Sequence, residues 1–262
     1  MDPRSAHSFD HPSVFNQTVD TNFGLQHRIL EENGGGPARA AGREASVSIA
    51  SQISTAAGVA PADRLADPAL LVVDMQNDFV RVGAPLEVPD ACATIQPIRQ
   101  LVDAFRQRNL PVVFTRFLAR EEPDLLWLWS PQCRPDTKCC WKGHRREYPD
   151  AEGALDCAEV IDELAPVQGD VIIDKYGYGA FHDTALDARL RALGVKSLLV
   201  TGTVTQICVE ETAREAFHHG YRTTIVSDAV SSFAPDLHAA TLKNFAMKFG
   251  WVADSETVIA WL

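Results

Sequence analysis

The sequence contains no apolar run near the roughly 20 residues a helix needs to cross a bilayer. Its opening stretch, "MDPRSAHSFDHPSVFNQ", has no apolar centre of the kind a secretory signal requires, and it is too rich in acids for an organelle transit peptide. The expected location is therefore cytoplasmic. Without a secretory signal, the acceptor triplet Asn16-Gln17-Thr18 carries no weight as a glycosylation site. Positive charge is also scarce: 24 Lys and Arg against 35 Asp and Glu give a net charge of -11. With no basic stripe, neither nucleic acid nor an anionic membrane surface is an expected partner.

Cysteines number six, at positions 92, 133, 139, 140, 157 and 208. In a cytoplasmic chain of this size they do not amount to a disulfide framework. Cys133, Cys139, Cys140 and His144 crowd into one stretch and raise the question of zinc. Their spacing fits none of the usual paired patterns, and adjacent cysteines are awkward joint ligands. The reading is of thiols in a long loop, with no metal and no cofactor expected.

What the chain does have is enough apolar content, 46% over 262 residues, to bury a sizeable core. Residues 1–65 read as an N-terminal extension: "ENGGGPARAAGREAS" has no sustained period and cannot bury enough apolar area to offset its own ordering entropy. Such a segment is either flexible or an arm laid on a partner subunit. Residues 66–262 read as one domain. Short continuous apolar runs at 69–75 ("ALLVVDM"), 110–117 ("LPVVFTRF"), 169–177 ("GDVIIDKYG"), 196–202 ("KSLLVTG") and 221–230 ("YRTTIVSDAV") have the pattern of strands buried on both faces. Between them lie helical patterns at 92–109, 158–164, 183–194, 205–220 and 235–250. In the first of these, Ile95, Ile98, Val102 and Phe105 share one face. Alternation of this kind predicts a three-layer α/β/α fold with a doubly wound, mostly parallel sheet. Residues 118–152 hold no strong period but carry Trp127, Trp129 and Trp141, which predicts a lid or a subunit contact.

Open α/β sheets bind ligands beyond the carboxyl ends of their strands. There the first strand run ends in Asp74, the third delivers Lys175, and the fourth leads through "TGTVTQIC" to Cys208. Each residue alone has a plain structural explanation: a turn cap, a strand-end cation, a packed thiol. Their arrival at one rim favours chemistry. With Thr205 as N-cap, Cys208 becomes the third residue of a helix, where the helix dipole and Lys175 both favour thiolate and lower its pKa toward neutrality. Gln76, Phe79, Tyr178 and Phe181 neighbour these residues in sequence and are expected to line the substrate pocket.

The runs "LLVVDMQNDF" and "VIIDKYGYGAFHDTALDARLRALGVKSLLVTGTVTQICVEETAREAF" strongly resemble the isochorismatase-like cysteine hydrolases. The resemblance implies the triad Asp74, Lys175 and Cys208, an oxyanion hole from the backbone N–H groups of Val204 and Cys208, and a cis peptide at Thr203–Val204. It also implies a homo-oligomer, dimer to tetramer. Two departures stand out. Val204 and Gln206 replace the small residue and the Asn common in that turn, and "TRFLAR" (115–120) stands where nicotinamidases carry an Asp-x-His metal motif. The stretches around "VIDELAPVQGD" and "GWVADSET" look most like the ureidoacrylate and N-carbamoyl amidohydrolase branch. The expected activity is cysteine-dependent hydrolysis of a C–N bond in a small linear amide or ureide through a thioester. The alternatives are an isochorismatase-type vinyl ether hydrolase, for which Arg116 is the one basic candidate beside the rim, and a non-catalytic binding protein on the same fold. A thiol–disulfide role ranks last, because no resolving cysteine adjoins Cys208 in sequence.

Overall fold

The computed structural model of the chain describes residues 61–262. The extension read over 1–65 therefore lies outside the described residues up to position 60. Its last residues belong to the packed structure. They form a helical turn, α1 (Pro61–Arg64), followed by Leu65, which is buried in the core. The Arg64 guanidinium sits over the rings of Trp251 and Trp261, 5.5 Å from each centroid.

From there the elements run β1 (Pro68–Val73), α2 (Asn77–Val80), α3 (Ala91–Gln107), β2 (Val112–Phe117), α4 (Leu126–Trp129), β3 (Arg145–Glu147) and β4 (Ala154–Asp156). They continue with β5 (Val171–Lys175), α5 (Leu186–Ala192), β6 (Ser197–Thr203), α6 (Glu210–His218), β7 (Arg222–Ser231), α7 (Pro235–Lys248), β8 (Trp251–Ala253) and α8 (Ser255–Trp261). The main sheet has the order β5-β2-β1-β6-β7-β8, and every neighbouring pair is parallel. The chain steps from β1 outward to β2 and β5, then returns to the other side for β6, β7 and β8. Connections leave β1 and β6 in opposite directions, which opens a crevice at their carboxyl ends.

Burial explains the unalternating strands. Every residue of β1, β2 and β6 is buried. Side chains in a strand point alternately to its two faces. Accordingly Leu70 and Val72 join the core beneath α3, with Ile98, Leu101 and Phe105, while Leu71 and Val73 join the opposite core, with Leu186, Leu190, Ala213 and Phe245.

Several local expectations change. The run 158–164 keeps only a 3-10 turn, Asp162–Leu164. The closing stretch adds strand β8 and helix α8. Segment 118–152 is less bare than its lack of period implied, holding α4, a 3-10 turn at Pro131–Cys133 and one arm of the β3–β4 hairpin.

Close strand packing leaves positions where only glycine fits, among them Gly202 and Gly250, whose Cβ atoms would meet backbone carbonyl oxygens at 2.0 and 2.1 Å. Gly202 pairs with Val73 at a register shift between β6 and β7, with φ +105, and a Cβ there would lie 2.0 Å from the Val73 carbonyl oxygen. Gly194, with φ +72, ends α5 in open space. Gly202→Ala is expected to cost at least ~4 kcal/mol, and Gly194→Ala only about 1 kcal/mol for the left-handed backbone. Urea denaturation of both variants measures this; equal losses would contradict the close β1–β6 approach.

Candidate active site

Three strand ends meet at the crevice. Asp74 follows the last residue of β1 with a left-handed backbone, φ +50, and is fully buried. That conformation is uncommon for a residue other than glycine. It is held by Thr115 of β2, whose hydroxyl donates to Asp74 Oδ1 at 2.6 Å and accepts the Asp74 N–H at 3.2 Å. Lys175 is the final residue of β5, also fully buried, and its Nζ lies 2.7 Å from Asp74 Oδ2. The same ammonium donates to the carbonyls of Gly177 (3.0 Å) and Tyr178 (2.9 Å). Its remaining face lies over the Phe117 ring, 5.4 Å from the centroid. Cys208, 4% exposed, lies close enough to Asp74 and Lys175 for both to act on its thiol. The three residues are separated by up to 134 positions yet share one buried point.

The electrostatics differ from the sequence expectation. Burial tends to lower the Lys175 pKa, but its interactions with Asp74 and, after it, Cys208 outweigh that, and the net shift is upward. Burial pushes the Cys208 thiol up to about 12; Lys175 pulls it down, Asp74 pushes it up further, and burial dominates. The expected fall toward neutrality is therefore corrected. An unpaired thiolate in a dry site loses more solvation than the helix end and one shared ammonium return.

The turn also differs in detail. Residues Thr205–Val209 form a π-helical turn with Val204, not Thr205, at the cap position. The Val204 carbonyl accepts from the N–H groups of Ile207 (3.0 Å) and Val209 (3.2 Å), a spacing that steps over Cys208. The Thr203–Val204 peptide bond is cis. Instead of capping, the Thr205 hydroxyl contacts the Ser231 carbonyl and His238 Nδ1, each at 2.9 Å. A hydroxyl has one proton, and a carbonyl can only accept it, so Nδ1 of His238 must be the protonated nitrogen. Burial lowers the His238 pKa, which favours this neutral ring.

The residues expected to line a pocket divide. Tyr178 supplies a carbonyl to Lys175 and is half-buried. Gln76 is fully buried and committed: its amide nitrogen donates to the Phe117 and Ala158 carbonyls, and its oxygen accepts the Phe117 N–H. Phe79 packs in the core with its centroid 6.3 Å from that of Phe117. Phe181 stacks on His219 at 4.7 Å and packs against Tyr221, in the opposite core. These three side chains are thus engaged in hydrogen bonds or core packing, because successive residues leave a strand end in different directions. Reading by strand ends also missed Thr115 and Phe117. Thr115 carried a signal, as an uncharged polar residue inside the apolar run "LPVVFTRF".

Residues 68–257 match the isochorismatase domain. The chain belongs to the isochorismatase family. Among its family relatives, it is 34% identical over 197 residues to the ureidoacrylate amidohydrolase RutB of Methylorubrum extorquens, covering 71% of this chain and 78% of that one. It is equally 34% identical, over 192 residues, to nicotinamidase 3 of Arabidopsis thaliana, covering 72% and 85%. The crystal structure of N-carbamoylsarcosine amidase from Thermoplasma acidophilum superposes with a TM-score of 0.60 at 31% identity, covering 72% of this chain and 96% of the other.

A protonated resting thiol has a measurable consequence for this isochorismatase-family site. Thiolate, not thiol, reacts with iodoacetamide. Without substrate, alkylation of Cys208 should climb about tenfold per pH unit from neutrality into the alkaline range. Peptide mass spectrometry of timed reactions checks this, and a rate already level near neutral pH would contradict the buried neutral thiol.

Proposed function

We propose that the chain is a cysteine amidohydrolase that cleaves the C–N bond of a small linear ureide or N-carbamoyl compound. The observation that carries this reading is the meeting of Asp74, Lys175 and Cys208 at one buried point. A carboxylate adjoining a neutral thiol can accept its proton as the sulfur attacks, so no free thiolate has to be held at rest.

In this scheme substrate enters the crevice and Cys208 Sγ attacks its carbonyl carbon while the thiol proton passes to Asp74. Lys175 fixes the carboxylate and offsets the charge building on sulfur. The backbone N–H groups of Val204 and Cys208 receive the tetrahedral oxyanion, a type of contact typically worth about 10²–10³ in rate. When the C–N bond breaks, the departing nitrogen takes the proton from Asp74 and the acyl carbon stays on Cys208 as a thioester, an S-carbamoyl one where the substrate is a ureide. Water then attacks the thioester with Asp74 as base, and the sulfur leaves with a proton.

Two features support a ureide over the other amides the relatives act on by name. The segment after β2 runs Thr115-Arg116-Phe117-Leu118-Ala119-Arg120 and has neither the Asp nor the His of the nicotinamidase metal motif. Beside the turn, the Thr203 hydroxyl and both polar atoms of the Gln206 amide are buried without a hydrogen-bond partner among the described residues. A ureide, with donors and an acceptor close together, can satisfy them. The vinyl ether reading loses its basic group, since Arg116 is spent on Asp174 (2.7 Å) and Glu159 (2.5 Å).

Cys208→Ala is expected to abolish turnover of N-carbamoyl substrates, and Asp74→Asn to cut it by roughly 10²–10⁴. Steady-state release of ammonia or amine across a panel of ureides, linear amides and nicotinamide measures both effects. Undiminished turnover by Cys208→Ala would sink the proposal, and a preference for nicotinamide would redirect the substrate.

A further inference from the structure

The excursion between β2 and β5 has an unusual interior. Its buried residues of hydrophobic type between positions 118 and 157 are Leu118, Tyr148 and four cysteines, Cys133, Cys139, Cys140 and Cys157. A segment with so little regular structure and so few aliphatic side chains cannot hold itself together by apolar burial. Its centre is instead a carboxylate. Asp78, fully buried in α2, accepts the Cys140 N–H at 2.9 Å on Oδ2, and on Oδ1 accepts the Tyr148 hydroxyl at 2.7 Å and Arg146 Nε at 3.1 Å. Oδ1 is filled, whereas Oδ2 keeps a lone pair.

Sulfur faces that oxygen. A carboxylate oxygen of Asp78 and the Sγ atoms of Cys139 and Cys140 lie within 4.8 Å of one another. The two sulfurs are 3.7 Å apart. Tetrahedral zinc with bonds of about 2.3 Å holds two sulfurs about 3.8 Å apart, so this pair already has the ligand spacing. The Cys133 sulfur is buried in the same core cluster, outside that group of three. The Cys157 thiol meets the carbonyls of Trp141 (3.3 Å) and Lys138 (3.5 Å) and also feels the Asp78 carboxylate, from outside the group of three.

We propose that Asp78, Cys139 and Cys140 hold one thiophilic d10 cation, zinc in the first instance, with the nearby Cys133 turning in as fourth ligand, and that the ion fastens the excursion to the exit of β1. The ion takes up three thiolates and one carboxylate oxygen, and the three thiol protons go to solvent. Arg146 and Tyr148 orient the carboxylate from behind, as outer partners of metal ligands do, and the Arg146 charge offsets part of the negative ligand set. Sequence spacing pointed away from zinc because Cys133, Cys139, Cys140 and His144 fit no usual paired pattern and two of the cysteines are adjacent. The fold supplies Asp78, 55 positions before Cys133, which no local spacing pattern contains. The site shares no residue with Asp74, Lys175 and Cys208, so it stands or falls separately from the hydrolase reading.

The test is metal content of the full chain by inductively coupled plasma mass spectrometry after purification and incubation with zinc, followed by exchange for Co²⁺. The expected result is about one zinc per chain, retained by Cys92→Ser and Cys208→Ser and reduced at least about tenfold in Cys139→Ser/Cys140→Ser. The cobalt form of the unmutated chain should show sulfur-to-cobalt charge transfer and tetrahedral d–d bands, a readout that needs no variant to fold. Metal below about a tenth of an equivalent, loss of the metal in Cys208→Ser, full retention by the double variant, an octahedral cobalt spectrum, or a disulfide at Cys139 would each overturn the proposal.

Discussion

The 2.7 Å contact between Lys175 Nζ and Asp74 Oδ2, with both side chains fully buried, is the constraint around which the site is built. Two opposite charges out of water are tolerated only when their remaining hydrogen-bonding capacity is also met. Here Thr115 serves the carboxylate, and the Gly177 and Tyr178 carbonyls serve the ammonium. These partners come from β2 and from the loop after β5, so the pair requires three adjacent strand ends to finish in register. The pairing of Leu70 with Val112 and of Phe117 with Lys175 provides that register. Deleting one charge from such a pair strands the other, typically at about 3–5 kcal/mol, so the packing of these strand ends rests on the contact.

The thiol is subordinate to that pair. Its burial disfavours thiolate, and the adjoining Lys175 and Asp74 act on it in opposite directions. The π-helical turn at Thr205–Val209 brings Cys208 back over the sheet edge, and its own anchors lie on the far side, in Ser231 and His238. The crevice is thus bounded by rigid strand ends on one side and a turn tied to β7 and α7 on the other. Such preorganisation suits a reaction in which charge moves over short distances.

Much of this was readable in the sequence. Five strands showed as unalternating apolar runs because a parallel sheet covered on both faces buries every residue. The three chemical residues showed because each stands at the carboxyl end of such a run or just beyond it. What stayed hidden depended on direction and not on order. Gln76, Phe79 and Phe181 adjoin the triad in sequence, yet their side chains leave the rim for hydrogen bonds and core contacts on other elements. The π-turn was read as an ordinary helix start because Thr205 has the chemistry of a cap, while the fold uses its hydroxyl elsewhere. Strand β8 has three residues and no period to detect. The role of Asp78 depends on contacts across 62 positions and more, beyond any local pattern.

The central claim is that a neutral Cys208 thiol rests beside an ion-paired Asp74 and gives up its proton only during attack. Infrared difference spectroscopy of the resting enzyme near neutral pH, unmutated minus Cys208→Ser, addresses it directly. The account predicts an S–H stretching band assignable to Cys208. Absence of that band, together with ultraviolet thiolate absorbance lost in the variant, would contradict it.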